Sequence, residues 1–308
     1  MTICLIPGHI LKFFFLVKAS SAILDDSYKV CLLMTDDRFH PNSTHRHIDH
    51  FQRYTTAMNV AYARQMNYQF MWYSFKCHGT KGQWRQDLPH TKYTLCDFDK
   101  SGRQRHPAWA KLIAIKRVLK YYEKNNENVV ILYLDTDAYI ADHSLRISSP
   151  SAPIAIWEVD DRGQYCSGSM LIKSSTVANN IIDEWWNNND TLHDVTPPWE
   201  QDVLNIEVRP KRVNDIHMLP SFGWRGKGIL WDSGLLLNES MNHKYHQPYN
   251  LSGISSYKTF IHHLWAGLKF KNIPYLRKEV HRLQAPLLSS TDFVYCVNSS
   301  TILCATSK

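Results

Sequence analysis

Asn128-Val129-Val130-Ile131-Leu132-Tyr133-Leu134 runs directly into Asp135-Thr136-Asp137. The apolar run is too short for a core helix and reads as a β-strand buried on both faces. In a parallel sheet such a strand delivers polar residues to its carboxyl edge, where α/β proteins bind their ligands. Two aspartates one residue apart at that edge repel each other unless solvent, protons or a cation compensates them. Residues i and i+2 of an extended segment point the same way, so Asp135 and Asp137 can offer oxygens to one ion. Magnesium or manganese held in this way keeps open positions for phosphate oxygens and neutralises a diphosphate leaving group. The blander alternative is a solvated turn in which the two carboxylates merely cap a strand.

The flanking sequence supplies a layered frame. Upstream, Pro107 opens a helix carrying Trp109, Leu112, Ile115, Leu119 and Tyr122 on one face, closed by Asn125-Asn126. Lys29 to Thr35 is another apolar strand, ending in Asp36-Asp37. Phe51, Tyr54, Met58 and Ala61 mark an amphipathic helix, and Tyr68 to Tyr73 a further strand. Strand, helix and strand in this order form a βαβ unit, which implies a largely parallel sheet. Lys76 to His106 reads as a long polar excursion. Downstream come strands at Pro153 to Trp157 and Ser169 to Ile172, then a helix with Ala178, Ile181, Ile182 and Trp185. Beyond it lie Trp199 to Asn205, a Gly- and Trp-rich loop from Ser221 to Gly234, and Phe260 to Trp265. Periodicity fades after Arg277, so residues 276–308 are expected to be a tail, packed on the surface or held by Cys296 and Cys304.

Composition narrows the function classes. The chain has 308 residues, 44% hydrophobic and 20% charged, which excludes disorder and coiled coil. The net charge of +7 is scattered, favouring an anionic ligand over a nucleic acid. No CxxC occurs, which argues against a zinc ribbon. Ile3 to Val17 is mostly apolar and is followed by Ala19-Ser20-Ser21-Ala22, so residues 1–23 read as a signal peptide or short signal anchor. Sequons at Asn42, Asn189, Asn238, Asn250 and Asn298 agree with passage through the secretory pathway. Cys77 with Cys96 and Cys296 with Cys304 are the disulfides expected there.

Several motifs now fall in a recognisable order: Trp109-Ala110-Lys111-Leu112, Asp135-Thr136-Asp137-Ala138, Gly168-Ser169-Met170-Leu171-Ile172-Lys173, Asp183-Glu184-Trp185-Trp186, Glu200-Gln201-Asp202 and His263-Leu264-Trp265-Ala266-Gly267. Over roughly residues 28 to 270 this resembles nucleotide-sugar glycosyltransferases of the GT-A fold, most like the family of fungal galactosyl and mannosyl transferases and plant xyloglucan xylosyltransferases. The resemblance implies an α/β, Rossmann-like catalytic domain over residues 24–275, with a mixed, mostly parallel sheet flanked by helices. It implies a retaining transfer of a hexose or pentose from a UDP- or GDP-linked donor to a glycan or glycoprotein acceptor, dependent on Mn2+ or Mg2+.

Residue by residue, the resemblance gives Asp137 and His263 to the metal, and Asp135 to the metal or to the donor ribose. The family spacing to the following glycine is one residue shorter than His263 to Gly267, which leaves His262 as the alternative ligand; strand alternation allows only one of the two to face the site. Asp36 matches the base and ribose region, Lys111 the helix lysine before the DxD, and Lys269 a diphosphate contact. Gly168 matches the small residue that lets sugars approach the sheet edge. Gln201 and Asp202 match donor-sugar contacts near the reacting carbon, with no classical base assigned. Trp224 and Trp231 are candidates for an acceptor groove. His40, His45, His47 and His50 read as an exposed loop. Two rival classes are a DxD phosphatase, disfavoured by Tyr139 where Thr or Val is wanted, and a non-catalytic glycan-binding shell.

Overall fold

The strand at Asn128–Leu134, β5 in chain order, divides its side chains between two cores. Val129, Ile131 and Tyr133 join one cluster with Cys31, Leu33, Leu112, Ile115 and Leu119. Val130, Leu132 and Leu134 join another with Leu32, Met34, Val60 and Trp72. Both faces are therefore buried, and this is why the sequence shows a continuous apolar run where a half-exposed strand would alternate.

The computed structural model describes residues 28–36, 51–75, 77, 81–83, 92–158, 164–219, 231–233, 260–263, 273–288, 293–295 and 302–305. The first half comprises β1 (Tyr28–Asp36), α1 (Phe51–Met66), β2 (Gln69–Ser74), a short hairpin of β3 (Lys81–Gln83) and β4 (Lys92–Thr94), and α2 (Ala110–Lys124) leading into β5. Next come β6 (Ala138–Ile140), β7 (Ile154–Glu158), β8 (Tyr165–Lys173), α3 (Thr176–Trp186), α4 (Leu192–Val195) and α5 (Glu200–Val203). Then follow β9 (Ile216–Leu219), β10 (Trp231–Ser233), β11 (Ile261–His263), α6 (Ile273–Arg282), β12 (Phe293–Tyr295) and β13 (Ile302–Ala305).

The main sheet has eight strands in the order β12-β13-β2-β1-β5-β8-β7-β9. β1 lies between β2 and β5 and is parallel to both; β8 opposes β5 and β7, and β13 opposes β2 and β12. Since β9 is parallel to β7, six of the eight strands run one way. The fold is thus α/β with a mixed, mostly parallel sheet and helices on its faces. The β1-α1-β2 unit read from periodicity is present, with Cys31 opposite Gln69 and Asp36 opposite Ser74. Trp185 and Trp186 belong to the core.

The segment after residue 275 differs from a surface tail. α6 buries Leu276 in a cluster with Phe51 and Met58 of α1, and β12 and β13 extend the main sheet beside β2. Two strands of three and four residues are too short to show alternation, which hid them in the sequence. Cys77 and Cys96 form the expected disulfide. Cys304 takes part in a disulfide, while Cys296, its expected partner, lies outside the described residues. So do residues 1–23, and among the described residues no helix is long and apolar enough to cross a membrane.

A second, three-stranded antiparallel sheet has the order β10-β11-β6. It decides the site, because β6 begins directly after Asp137 and β11 pairs with it, His263 opposite Ala138 and His262 opposite Tyr139. Asn59 of α1 locks β6 in place: its side chain donates to the Ala138 carbonyl (3.0 Å) and accepts from the Ile140 amide (2.9 Å).

Two outcomes follow for stability. Leu132→Ala, which empties a fully buried position, is expected to cost about 2–5 kcal/mol in a denaturant titration. Buried His143, whose ring packs on Tyr62, has its pKa pushed from 6.5 down to about 4 by burial. Between those values the unfolded chain binds a proton that the folded chain does not, so stability falls as pH is lowered from 6.5 towards 4. His143→Gln is expected to flatten that slope by up to one proton; an unchanged slope contradicts the assignment.

Candidate metal centre

Asp135, Asp137 and His263 converge at the carboxyl end of β5: one ligand atom from each lies within 4.8 Å of the others. His263 Nε2 is 3.0 Å from Asp137 Oδ1. The register of β11 on β6 turns His263, and not His262, towards the two aspartates. His262 faces away, with Nδ1 2.9 Å from the Tyr139 hydroxyl, and burial together with Arg282 pushes its pKa down to about 3. Burial also disfavours the charged form of His263, but the Asp137 carboxylate more than reverses this and raises its pKa to about 10. A divalent ion taking His263 Nε2 would displace that proton. Cys166, free and buried, lies 3.8 Å from the other ring nitrogen.

The chain turns sharply at this point. The Asp135 amide donates to the Gly168 carbonyl (2.8 Å) and the Ala138 amide to the Asp135 carbonyl (2.9 Å). Thr136 donates through its hydroxyl to Asp36 Oδ2 (2.7 Å) and accepts at its carbonyl from Thr55 (2.6 Å). Asp36 is thereby brought to the same edge, as expected, and helps to hold the Asp135-Thr136-Asp137 turn. Gly168 forms the floor. A Cβ there would overlap His263 Cε1 and approach within 2.8 Å of Asp135 Oδ2, so only glycine leaves the donor atoms room to converge. The donor set, two carboxylates and an imidazole, suits manganese or magnesium, with histidine favouring the former.

Behind Asp135 lies a buried polar cluster. Lys111 Nζ is 3.2 Å from Asp135 Oδ1, 2.7 Å from Glu200 Oε1 and 3.2 Å from both the carbonyl and hydroxyl oxygens of Ser167. Burial disfavours its charge, yet the two carboxylates hold its pKa above the ordinary lysine value. Tyr133 donates to Asp135 Oδ1 at 2.8 Å. Burial and the surrounding charges of Asp135, Glu200 and Asp36 push this phenol well above its usual value, so it remains a donor. Lys111 therefore directs its ammonium to protein acceptors beneath the site.

In the Glu200-Gln201-Asp202 segment it is Glu200 that enters the buried cluster with Lys111. Glu200 is buried and accepts from Ser167 Oγ (2.8 Å) as well as from Lys111. Gln201 Oε1 accepts from the Ser167 amide (3.2 Å), on the rim. Asp202 is partly exposed and pairs with His193 at 3.3 Å, and His193 in turn contacts Asp190. Trp199, with φ of +53°, turns the chain into this segment, and its indole stacks on His106 at 3.8 Å. A bulky residue in that region costs about 1–3 kcal/mol, offset here by packing. Trp185 Nε1 donates to the Glu200 carbonyl (2.8 Å), and Asn205 links Tyr165 to Gln201. Lys269 and Trp224 lie outside the described residues, and for Trp231 only the backbone is described.

Ser167, Glu200 and Tyr133 escaped the sequence reading. Glu200 carried a signal, since it adjoins two candidates. Lys111 carried another: it stands four residues before Ile115 in the same stripe as Val118 and Tyr122, where an apolar side chain is expected.

No family model matches the chain, and no curated protein matches it in sequence. Among solved structures, one that matches is the crystal structure of a glycosyltransferase involved in the glycosylation of the major capsid of PBCV-1, at 14% identity and a TM-score of 0.40. The match covers 62% of this chain and 82% of that one. A likeness at this level carries no functional weight, and the site itself must bear the assignment.

Gly168→Ala is expected to weaken Mn2+ binding about 10–100-fold with the fold retained, as measured by calorimetric titration. Binding as tight as in the wild type would show that His263 and Asp135 do not converge on one ion.

Proposed function

We propose that the chain is a metal-dependent glycosyltransferase that moves a hexose or pentose from a UDP- or GDP-linked sugar to a glycan or glycoprotein acceptor, with retention of configuration. The observation that carries this reading is the convergence of Asp135, Asp137 and His263 at the carboxyl edge of a mostly parallel sheet, over a glycine floor. The bound divalent ion would supply charge neutralisation for a departing nucleoside diphosphate.

The chain's own residues divide the remaining work. Asp137 and His263 provide direct ligands, and Asp135 provides a further carboxylate oriented by Tyr133 and Lys111. Asp36, held to the turn by Thr136, stands where it can meet the ribose or base. Gln201 and Asp202 flank the donor sugar in this reading, where an amide and a carboxylate can stabilise positive charge developing at the anomeric carbon. Gly168 lets that sugar approach the edge of β8. Lys269 would meet the diphosphate. The Cys77–Cys96 disulfide agrees with an oxidising compartment and so with the secretory pathway, entered through residues 1–23 as signal peptide or anchor.

The test is thermal stabilisation of the chain by a panel of UDP- and GDP-sugars, with Mn2+ and with chelator. One donor at 100 times its Kd is expected to add about 2.7 kcal/mol, only with metal, and to lose the effect in Asp137→Ala. If no sugar nucleotide stabilises the metal-loaded wild type, the glycan-binding shell becomes the better reading.

A further inference from the structure

Lys111 is 3% exposed, at the start of a helix whose other buried positions are apolar, and it faces four acceptors from three separate segments. Asp135 belongs to the turn after β5, Ser167 to β8 and Glu200 to α5. An ammonium has three N–H bonds, so these contacts consume it entirely. Lys116, on the next turns of the same helix, is by contrast a half-exposed ion pair with Asp183. The buried lysine thus joins the metal-facing turn to the segment that carries the proposed sugar contacts, without needing to reach either ligand.

We propose that Lys111 is a positioning residue of the metal centre. Its ammonium fixes the direction of the Asp135 carboxylate against Ser167 and Glu200, and metal affinity depends on that hold. This rests on the reading of Asp135, Asp137 and His263 as a divalent-cation site. A plain counter-ion role, in which Lys111 only neutralises buried carboxylates for folding, makes a different forecast. Removing lysine alone leaves Asp135 and Glu200 as neighbouring uncompensated charges, which destabilises the fold under either account. Lys111→Met combined with Glu200→Gln removes one charge of each sign, so the net charge beside the ion is unchanged while the hold on Asp135 is lost.

The measurement is Mn2+ titration of the full chain, followed by the paramagnetic signal of free ion, alongside the thermal transition. The charge-balanced double variant is expected to regain most of the stability lost in Lys111→Met yet to bind Mn2+ about tenfold or more weakly than wild type. Lys111→Arg, which keeps the charge but replaces a compact donor by a planar fork, is expected to weaken Kd by about threefold or more and serves if the double variant does not fold. Lys116→Met is expected to bind as wild type does. Wild-type Kd in the folded double variant, or in Lys111→Arg, overturns the proposal and leaves Lys111 a counter-ion. Failure of the wild type itself to bind Mn2+ is a separate result, which removes the metal-site reading beneath it.

Discussion

Carboxylates gathered where two buried strands end must be compensated locally, and much of this structure answers that demand. Asp36 closes β1 and Asp135 and Asp137 follow β5, strands whose side chains are sealed on both faces. Glu200 arrives from α5 to make a fourth acid. Against these stand Lys111, buried below, and His263, brought across the chain by a separate small sheet. Among the described residues, four carboxylates against two cations leave an excess of negative charge at this sheet edge, even with His263 protonated. A divalent cation fits that excess and can replace the proton on His263.

The two compensating cations differ in kind. Lys111 is part of the fold, committed to Asp135, Glu200 and Ser167, and its charge is fixed by its partners. His263 is held by Asp137 and carries a proton that a metal can replace. Lys111 keeps its charge throughout, whereas His263 would give up its proton to a bound ion. Gly168 leaves room for the His263 ring and the Asp135 carboxylate to come together.

How much of this is legible in sequence depends on the range of the interaction. β5, α2, the βαβ unit and the DxD turn are local patterns, and each is where periodicity places it. The Cys77–Cys96 pair also agrees with its short loop. The choice of His263 over His262 is not local: it depends on the register of β11 against β6, more than a hundred residues apart, and the spacing to Gly267 left it open. Glu200, not Asp202, enters the polar cluster because Trp199 turns the chain with a positive φ that no pattern of residue types announces. Of the two strands after residue 275, β13 pairs with β2 across most of the chain and β12 pairs with β13, and both are too short to signal themselves. Lys111 is the instructive case. Its place in an apolar stripe marked it as buried, while its partners belong to distant segments.

In the function proposed above, Asp135, Asp137 and His263 hold one divalent ion together. The most direct measurement is electron spin-echo modulation of Mn2+ bound to the purified chain, which reports nitrogen coordinated to the ion. One Mn2+ per chain is expected, with a single imidazole nitrogen signature that disappears in His263→Gln and persists in His262→Gln. A nitrogen signature that survives His263→Gln, or bound Mn2+ with no nitrogen at all in the wild type, would contradict it.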